Sequence, residues 1–285
     1  AGFDEDGVLY CDQRFADYPI AGPDGPRDPR AVVEPDWMLL SSRATATASS
    51  HAKGHAPALA VDEDARAWWA AERPGEGEWV AVDLGEPLPV SAIQVNLADD
   101  DVAPLAPELT EGIDMGHTWR SIYPPHEPAL IVVEVSVDGT TWTTVHDGRL
   151  EGRDRPHALL VLDGETQVRH VRVTAVTTPF ESRLAVSGVR VFGKATGQRP
   201  AAAACEATRV DELSARVEWA LVDGADGYNV RFGSAPDKLY RSWQVGGSEN
   251  SLDVRALNAG ADAWFAVDAF NASGVTPGRA VVARR

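Results

Sequence analysis

The feature that most constrains this chain is a period-two alternation of apolar and polar residues that returns along most of its length. It is seen in Glu78-Trp-Val-Ala-Val-Asp-Leu, Val90-Ser-Ala-Ile-Gln-Val-Asn-Leu and Leu130-Ile-Val-Val-Glu-Val-Ser-Val. It continues in His157-Ala-Leu-Leu-Val-Leu, Val168-Arg-His-Val-Arg-Val-Thr-Ala-Val and Val186-Ser-Gly-Val-Arg-Val-Phe. Successive side chains of a strand point to opposite faces, so such runs bury one face and wet the other. Helical spacing is scarce, and Gly, Pro and Asp clusters separate the runs, which is the pattern of β-sandwiches and barrels. The dipeptide Asp138-Gly139 lies between two such runs and predicts a tight hairpin. The expectation is an all-β chain.

At 285 residues the chain is too long for one average domain and suits two. Residues 19–35 carry Gly and Pro repeatedly and can sustain neither ladder nor helix. Lys194-Ala-Thr-Gly-Gln-Arg-Pro-Ala-Ala-Ala-Ala is a second linker, after which the strand pattern restarts. The expected division is a leader over 1–35, a sandwich over 36–195 and a smaller domain over 196–285. The opening Ala1-Gly-Phe-Asp-Glu-Asp-Gly has neither the basic start nor the apolar core of a signal peptide, and reads as the interior of a longer protein.

Lys+Arg number 26 against 43 Asp+Glu, a formal net charge of −17. Such a chain repels phosphate backbones and anionic lipid, which argues against nucleic acid and membrane surfaces as partners; a neutral glycan carries no such penalty. No apolar run reaches the roughly 18 residues of a membrane span. The two cysteines, Cys11 and Cys205, form no disulfide framework and no zinc spacing, and are expected as thiols.

The middle segment resembles the discoidin, or coagulation-factor C-terminal, family, which includes the family 32 carbohydrate-binding modules. The resemblance rests on ordered pieces: Ala46-Thr-Ala-Ser-Ser, Ala58-Leu-Ala-Val-Asp-Glu-Asp-Ala-Arg-Ala-Trp-Trp, Trp79-Val-Ala-Val-Asp-Leu-Gly, Val135-Ser-Val-Asp-Gly-Thr-Thr-Trp and Val186-Ser-Gly-Val-Arg-Val-Phe-Gly. It implies a jelly-roll sandwich, for which Trp69, Trp79 and Trp142 are the expected apolar anchors. It also implies a structural calcium in the Asp-rich loop, with Asp62 as carboxylate ligand and Asp64 as carbonyl ligand. Ala67 stands where the family has threonine and offers only its backbone oxygen, and Gly188 stands where it has an acid. Calcium wants six or more oxygens, so the resemblance implies a weakly held ion and no required cofactor. The alternative for Asp62 and Asp64 is hydrogen bonding within their own loop.

Sandwiches of this type take sugars on loops at one end. An aromatic face meets the pyranose ring, and His, Arg or carboxylate groups meet its hydroxyls. Two loops supply these groups: the first holds His51, Lys53 and His55, and the long segment 99–128 holds His117, Trp119, Arg120, Tyr123 and His126. A loop of roughly thirty residues in a compact sandwich is usually functional or interfacial. Phe180-Glu-Ser-Arg183 is a third candidate. The competing reading makes the histidines turn-stabilising groups, and makes Trp119 and Tyr123 packing against a neighbouring domain.

The last segment resembles fibronectin type III, an immunoglobulin-like sandwich, through Val217-Glu-Trp219, Gly224-Ala-Asp-Gly-Tyr-Asn-Val-Arg and Trp264-Phe-Ala-Val-Asp-Ala-Phe-Asn-Ala-Ser-Gly. Trp219 and Tyr228 are its expected core aromatics, and Ala263 stands where the family has its corner tyrosine. The leader Gly2-Phe-Asp-Glu-Asp-Gly-Val-Leu-Tyr is similar to the end of a family 43 glycoside hydrolase propeller, a xylosidase and arabinofuranosidase class. Its catalytic carboxylates would precede Ala1, and the neighbours Asp4, Glu5 and Asp6 cannot straddle a glycosidic bond. The chain is therefore expected to be a non-catalytic accessory region. Its partners would be a plant or microbial polysaccharide and an upstream catalytic domain in the same chain. The alternative is a structural accessory that packs on that domain without holding glycan.

Overall fold

The computed structural model describes residues 2–10, 35–100, 102 and 127–284. It is built of strands, as the alternation predicts, with one short α-helix among the described residues. Two compact units emerge, Leu39–Lys194 and a second that joins the residues up to Met38 to Ala195–Arg285.

The leader contributes a two-stranded hairpin, β1 (Gly2–Phe3) and β2 (Leu9–Tyr10). The larger unit follows with β3 (Met38–Leu39), β4 (Thr45–Ala48), β5 (Trp69–Ala70), β6 (Trp79–Leu97), β7 (Leu130–Ser136), β8 (Thr143–Asp147), β9 (His157–Thr177) and β10 (Ala185–Gly193). The long antiparallel pair β6 and β9 organises it. The ladder between them runs from Trp79↔Thr174 to Asn96↔His157 and breaks register between Asp83 and Leu88. There Gly85 adopts a left-handed φ of +88° and its N–H donates to Asp83 Oδ1 at 2.8 Å. Pro87 and Pro89, which have no N–H to give a ladder, accompany the break. The first half of β6 lies between β4 and β9, with β7 and β8 beyond; its second half pairs with β10, which also pairs with β3 and β5. The sheet is thus continuous, but its bent strands form two facing layers. Val80, Val82, Val133, Val171 and Val173 fill the core from one layer, and Ile93, Val95, Val189 and Val191 from the other.

Trp69 is fully buried, but Trp79 and Trp142 are only half-buried, which corrects the expectation of three core anchors. Val80 and Val82 take the inward positions of β6, so alternation turns Trp79 outward. Trp142 precedes β8 in the hairpin turn, and its ring is covered by the Arg172 guanidinium at 4.1 Å. The hairpin itself forms where Asp138-Gly139 placed it, with Gly139 at φ +73° and the Asp138 carboxylate accepting from the N–H groups of Thr140 and Thr141.

In the second unit β11 (Cys205–Arg209), β12 (Ala215–Trp219) and β15 (Ser251–Val254) form one sheet. A second sheet holds β13 (Gly227–Gly233), β14 (Arg241–Gly246), β16 (Trp264–Asn271), β17 (Gly274–Thr276) and β18 (Val281–Val282). Trp219 and Tyr228 lie buried in its core with ring centroids 5.5 Å apart, and Val222 N–H donates to Tyr228 Oη at 2.7 Å. Ala263 is buried and brings no hydroxyl to the bend that enters β16. Arg209 holds that bend, its guanidinium donating to the carbonyls of Ala261 at 2.5 Å, Asn258 at 3.4 Å and Glu212 at 2.6 Å. The leader hairpin packs on this unit. Tyr240 Oη donates to Asp4 Oδ2 at 2.9 Å, Lys238 pairs with Asp4 and Asp6, and Tyr10 meets Tyr240 at 5.7 Å between centroids. Burial opposes ionisation of Asp4, but the Val8 N–H, which donates to it at 2.7 Å, with Lys238 and Tyr240, holds its pKa well below the ordinary value, at about 2.

Candidate functional site

One end of the 39–194 sandwich gathers the loop after β4, the turns on either side of β5, the chain leaving β6 and the turn between β9 and β10. A buried carboxylate anchors the first of these loops. Glu78 accepts from Ser49 Oγ at 2.5 Å, Ser50 Oγ at 2.6 Å and Arg73 Nε at 3.1 Å. Burial alone would raise this carboxyl, yet the two hydroxyls and the guanidinium hold it below its usual range. Ser50 Oγ in turn accepts from Glu72 N–H, and Trp69 Nε1 donates to Ser50 O at 3.0 Å. The loop that carries the two histidines is therefore fixed to β5 and to the start of β6.

Beside this anchor lies a second carboxylate, Asp100, whose side chain is 7% exposed. Its Oδ1 accepts from Trp68 Nε1 at 3.2 Å and lies 3.8 Å from His55 Nε2. Its Oδ2 lies 3.3 Å from Arg183 Nε, without an aligned hydrogen bond among the described residues. The His55 ring stands 5.2 Å from the Trp68 ring, and its Nδ1 meets the Trp68 carbonyl at 3.0 Å. A carbonyl only accepts, so Nδ1 carries the proton and Nε2 is turned toward Asp100. Ala52, Ala70 and Ala185, with Trp68 and Ala98 packed on them, form the small apolar floor. An indole, an imidazole, a guanidinium and a carboxylate thus meet at one mouth. Arg183 and His55 stay 31% and 27% exposed there.

The turn that delivers Arg183 is strained. Phe180 and Glu181 both adopt left-handed φ, +52° and +53°. Each costs a side-chain-bearing residue about 1 kcal/mol. Phe180 N–H donates to Glu127 Oε2 at 2.6 Å, and Thr178 Oγ1 to Ser182 O at 2.6 Å, which hold the turn shut.

Of the residues singled out from sequence, His55 and Arg183 of the Phe180–Arg183 candidate lie in this cluster. His51 is exposed and its Nδ1 turns to the neighbouring Ala52 carbonyl at 3.2 Å. His117, Trp119, Arg120, Tyr123 and His126 lie outside the described residues. Trp68 and Asp100 were not singled out. Their signal was the Trp68-Trp69 pair, whose members must face opposite sides, and the acidic run that closes β6.

The expected calcium donors Asp62 and Asp64 are engaged within their own loop. Asp62 Oδ1 accepts from Asp64 N–H at 3.1 Å. The Asp64 carboxylate is engaged by Arg66 Nε at 3.1 Å, which lowers its pKa. The Asp64 carbonyl accepts from Ala67 N–H at 2.9 Å. Glu63, at φ +63°, is turned out to Arg190 at 2.8 Å. Among the described residues no three His, Cys, Asp or Glu side chains gather as a metal site.

No family model matches the sequence, and no curated protein matches it. Solved structures do show similarity. A module from Clostridium perfringens, CpGH89CBM32-6, is 16% identical over 55% of this chain and 99% of its own, with a TM-score of 0.40. The family 32 module of C. perfringens NanJ in complex with galactose is 15% identical over 54% and 96%, with a TM-score of 0.39. A family 89 glycoside hydrolase from C. perfringens is 19% identical over 56% of this chain and 15% of its own length, with a TM-score of 0.40.

Proposed function

We propose that the 39–194 unit binds carbohydrate at this loop end, and that the chain is a non-catalytic accessory region of a polysaccharide-degrading glycoside hydrolase. The observation that carries the reading is Asp100. A carboxylate this buried is costly unless paired, yet its partners sit at an open mouth on loops rather than inside the sheet. A sugar hydroxyl can accept from Arg183 and meet the His55 ring, both part-exposed, while the buried Asp100 carboxylate holds those groups in place. The Trp68 and His55 rings offer a flat edge to the pyranose. Strain in the turn that presents Arg183 fits a group held in place for recognition. The order of leader, sandwich and smaller sandwich supports a family 43 context, in which the upstream domain does the hydrolysis.

The test is a glycan array probed with the full chain, followed by Asp100→Asn and Arg183→Ala. Binding of at least one neutral plant or microbial glycan, lost by more than about tenfold in both variants at unchanged melting temperature, supports the reading. Retained binding in both variants moves the site elsewhere. No binding by the parent chain favours the structural-accessory role.

A further inference from the structure

We infer that the 39–194 unit pairs with a second copy of itself through the free edge of the first part of β9, residues 157–161, in an antiparallel two-fold contact centred on Leu159. This goes beyond the carbohydrate reading and does not depend on it. The strand His157-Ala-Leu-Leu-Val is hydrogen-bonded on one side to β6, from Asn96↔His157 to Ala92↔Val161. On its other side no strand pairs with it among the described residues, because β7 meets β9 only from His170 onward. Unpaired N–H and C=O groups along an edge are a template for another strand, and folded proteins blunt such edges with charges, prolines or bulges. β8, an edge of the facing layer, is blunted in this way. Its ladder breaks register between Val133 and Glu134, and its side chains include Thr143, Thr144 and Asp147.

The 157–161 edge carries no such protection. Alternation turns Ala158 and Leu160 into the core and leaves Leu159 and Val161 outside, 50% and 63% exposed. Across the ladder Val161 is flanked by Ala92 and then by Phe192, so the exposed strip is the rim of an apolar row on the outer face of the sheet. Apolar side chains along an unpaired edge favour a partner strand that covers them.

Charge complementarity selects a second copy of this chain as the occupant. Antiparallel pairing about Leu159 sets Leu159 against Leu159, His157 against Val161 and Arg155 against Asp163. Directly opposite residues share a face, so the two leucines meet on the outer side and each arginine meets a carboxylate. The contact is made twice, as a two-fold interface requires. A shift of one residue would set outward Leu159 against inward Leu160, so the alternation fixes this register. Arg155 is 39% exposed and meets Glu151 Oε2 at 2.6 Å within its own chain. A guanidinium has several N–H donors, so it can take a second carboxylate. Asp163 is exposed at the turn that ends the strand, where Gly164 adopts φ +73°. Beside that turn a groove of about 500 Å³, lined by Val137, Val145, Val161 and Leu162 among others, leaves room for the end of the incoming strand.

The experiment is sedimentation equilibrium of the full chain in about 0.15 M salt, where a Debye length of about 8 Å confines the repulsion between two acidic chains. The parent should dimerise with a Kd on the order of 10–100 μM, as suits a contact of this small size. Leu159→Lys should weaken the dimer by more than about tenfold, because it places a charge on the covered edge. Arg155→Asp and Asp163→Arg should each weaken it on the order of fivefold, since like charges then face each other twice. An equimolar mixture of those two variants should recover most of the parent's affinity, because each copy again meets its complement at both ends. Melting temperatures near the parent's show that these exposed substitutions leave the fold intact. A parent that stays monomeric to about 500 μM, a dimer unaffected by Leu159→Lys, or a mixture no tighter than its two components overturns the proposal.

Discussion

Each of the two units buries a carboxylate against an arginine, and the contrast between the pairs separates scaffold from site. In the 195–285 unit Asp268 and Arg231 sit on neighbouring strands, 2% and 13% exposed. Both carboxylate oxygens are bonded, to Arg231 Nε at 2.6 Å, Arg231 Nη2 at 2.7 Å and Gly278 N–H at 2.9 Å. In the 39–194 unit Asp100 and Arg183 sit on loops. One oxygen of Asp100 lacks an aligned bond among the described residues, and the arginine is part-exposed. A closed pair on strands can do little but hold the fold. A pair on loops whose arginine stays part-exposed can present that arginine to a ligand.

The largest expected effect breaks the closed pair. Asp268→Ala leaves Arg231 buried without its counter-charge and should destabilise the unit by about 3–5 kcal/mol, read by denaturant unfolding. Asp100→Asn should instead cost less than about 1 kcal/mol of stability, because water reaches Arg183 once the pair is broken. A loss as large as that of Asp268→Ala would erase the distinction between the two pairs. The Arg209 fan tests a third arrangement, one guanidinium against three carbonyls. Arg209→Ala should cost about 1–2 kcal/mol in the same unit, and Arg209→Lys should recover only part of it.

The alternation made the strands legible because it reports which face is buried, and β6, β9 and the Asp138-Gly139 hairpin could be read from it directly. It misled for Trp79 and Trp142, where size suggested the core but register and a turn position set the side chain outside. The site was legible only in part. His55 stood out as a polar group in a loop, but its partners Trp68 and Asp100 are 32 residues apart from one another and meet through the fold. Arg209 gave no local hint that it would do the work of a corner tyrosine. Its targets lie 49 and 52 residues further on.

Two smaller effects sharpen the same contrast. Arg169 donates to both Asp83 oxygens, at 2.9 and 3.0 Å, and these bonds depress the Asp83 carboxyl to about 2. The folded pKa lies below the unfolded one, near 3.9. The contribution is therefore complete above about pH 4 and disappears as the pH falls through about 2. The melting temperature of the 39–194 unit should drop across that window, and by less in Asp83→Asn. Solvent screening keeps the effect modest, since Asp83 and Arg169 are each about a third exposed. The smallest effect concerns calcium. Melting in chelator and in excess calcium should differ by no more than about 3 °C, because the donors of the Asp62 loop are engaged with one another. A shift above about 10 °C would show that they reorganise around the ion.

The most direct measurement is backbone hydrogen exchange of the full chain with and without its strongest array glycan. The account predicts protection confined to residues 49–56, 67–77, 98–100 and 178–184, the segments that build the loop end around Asp100. Protection that spares these segments and falls on the strands, or on the 195–285 unit, would contradict it.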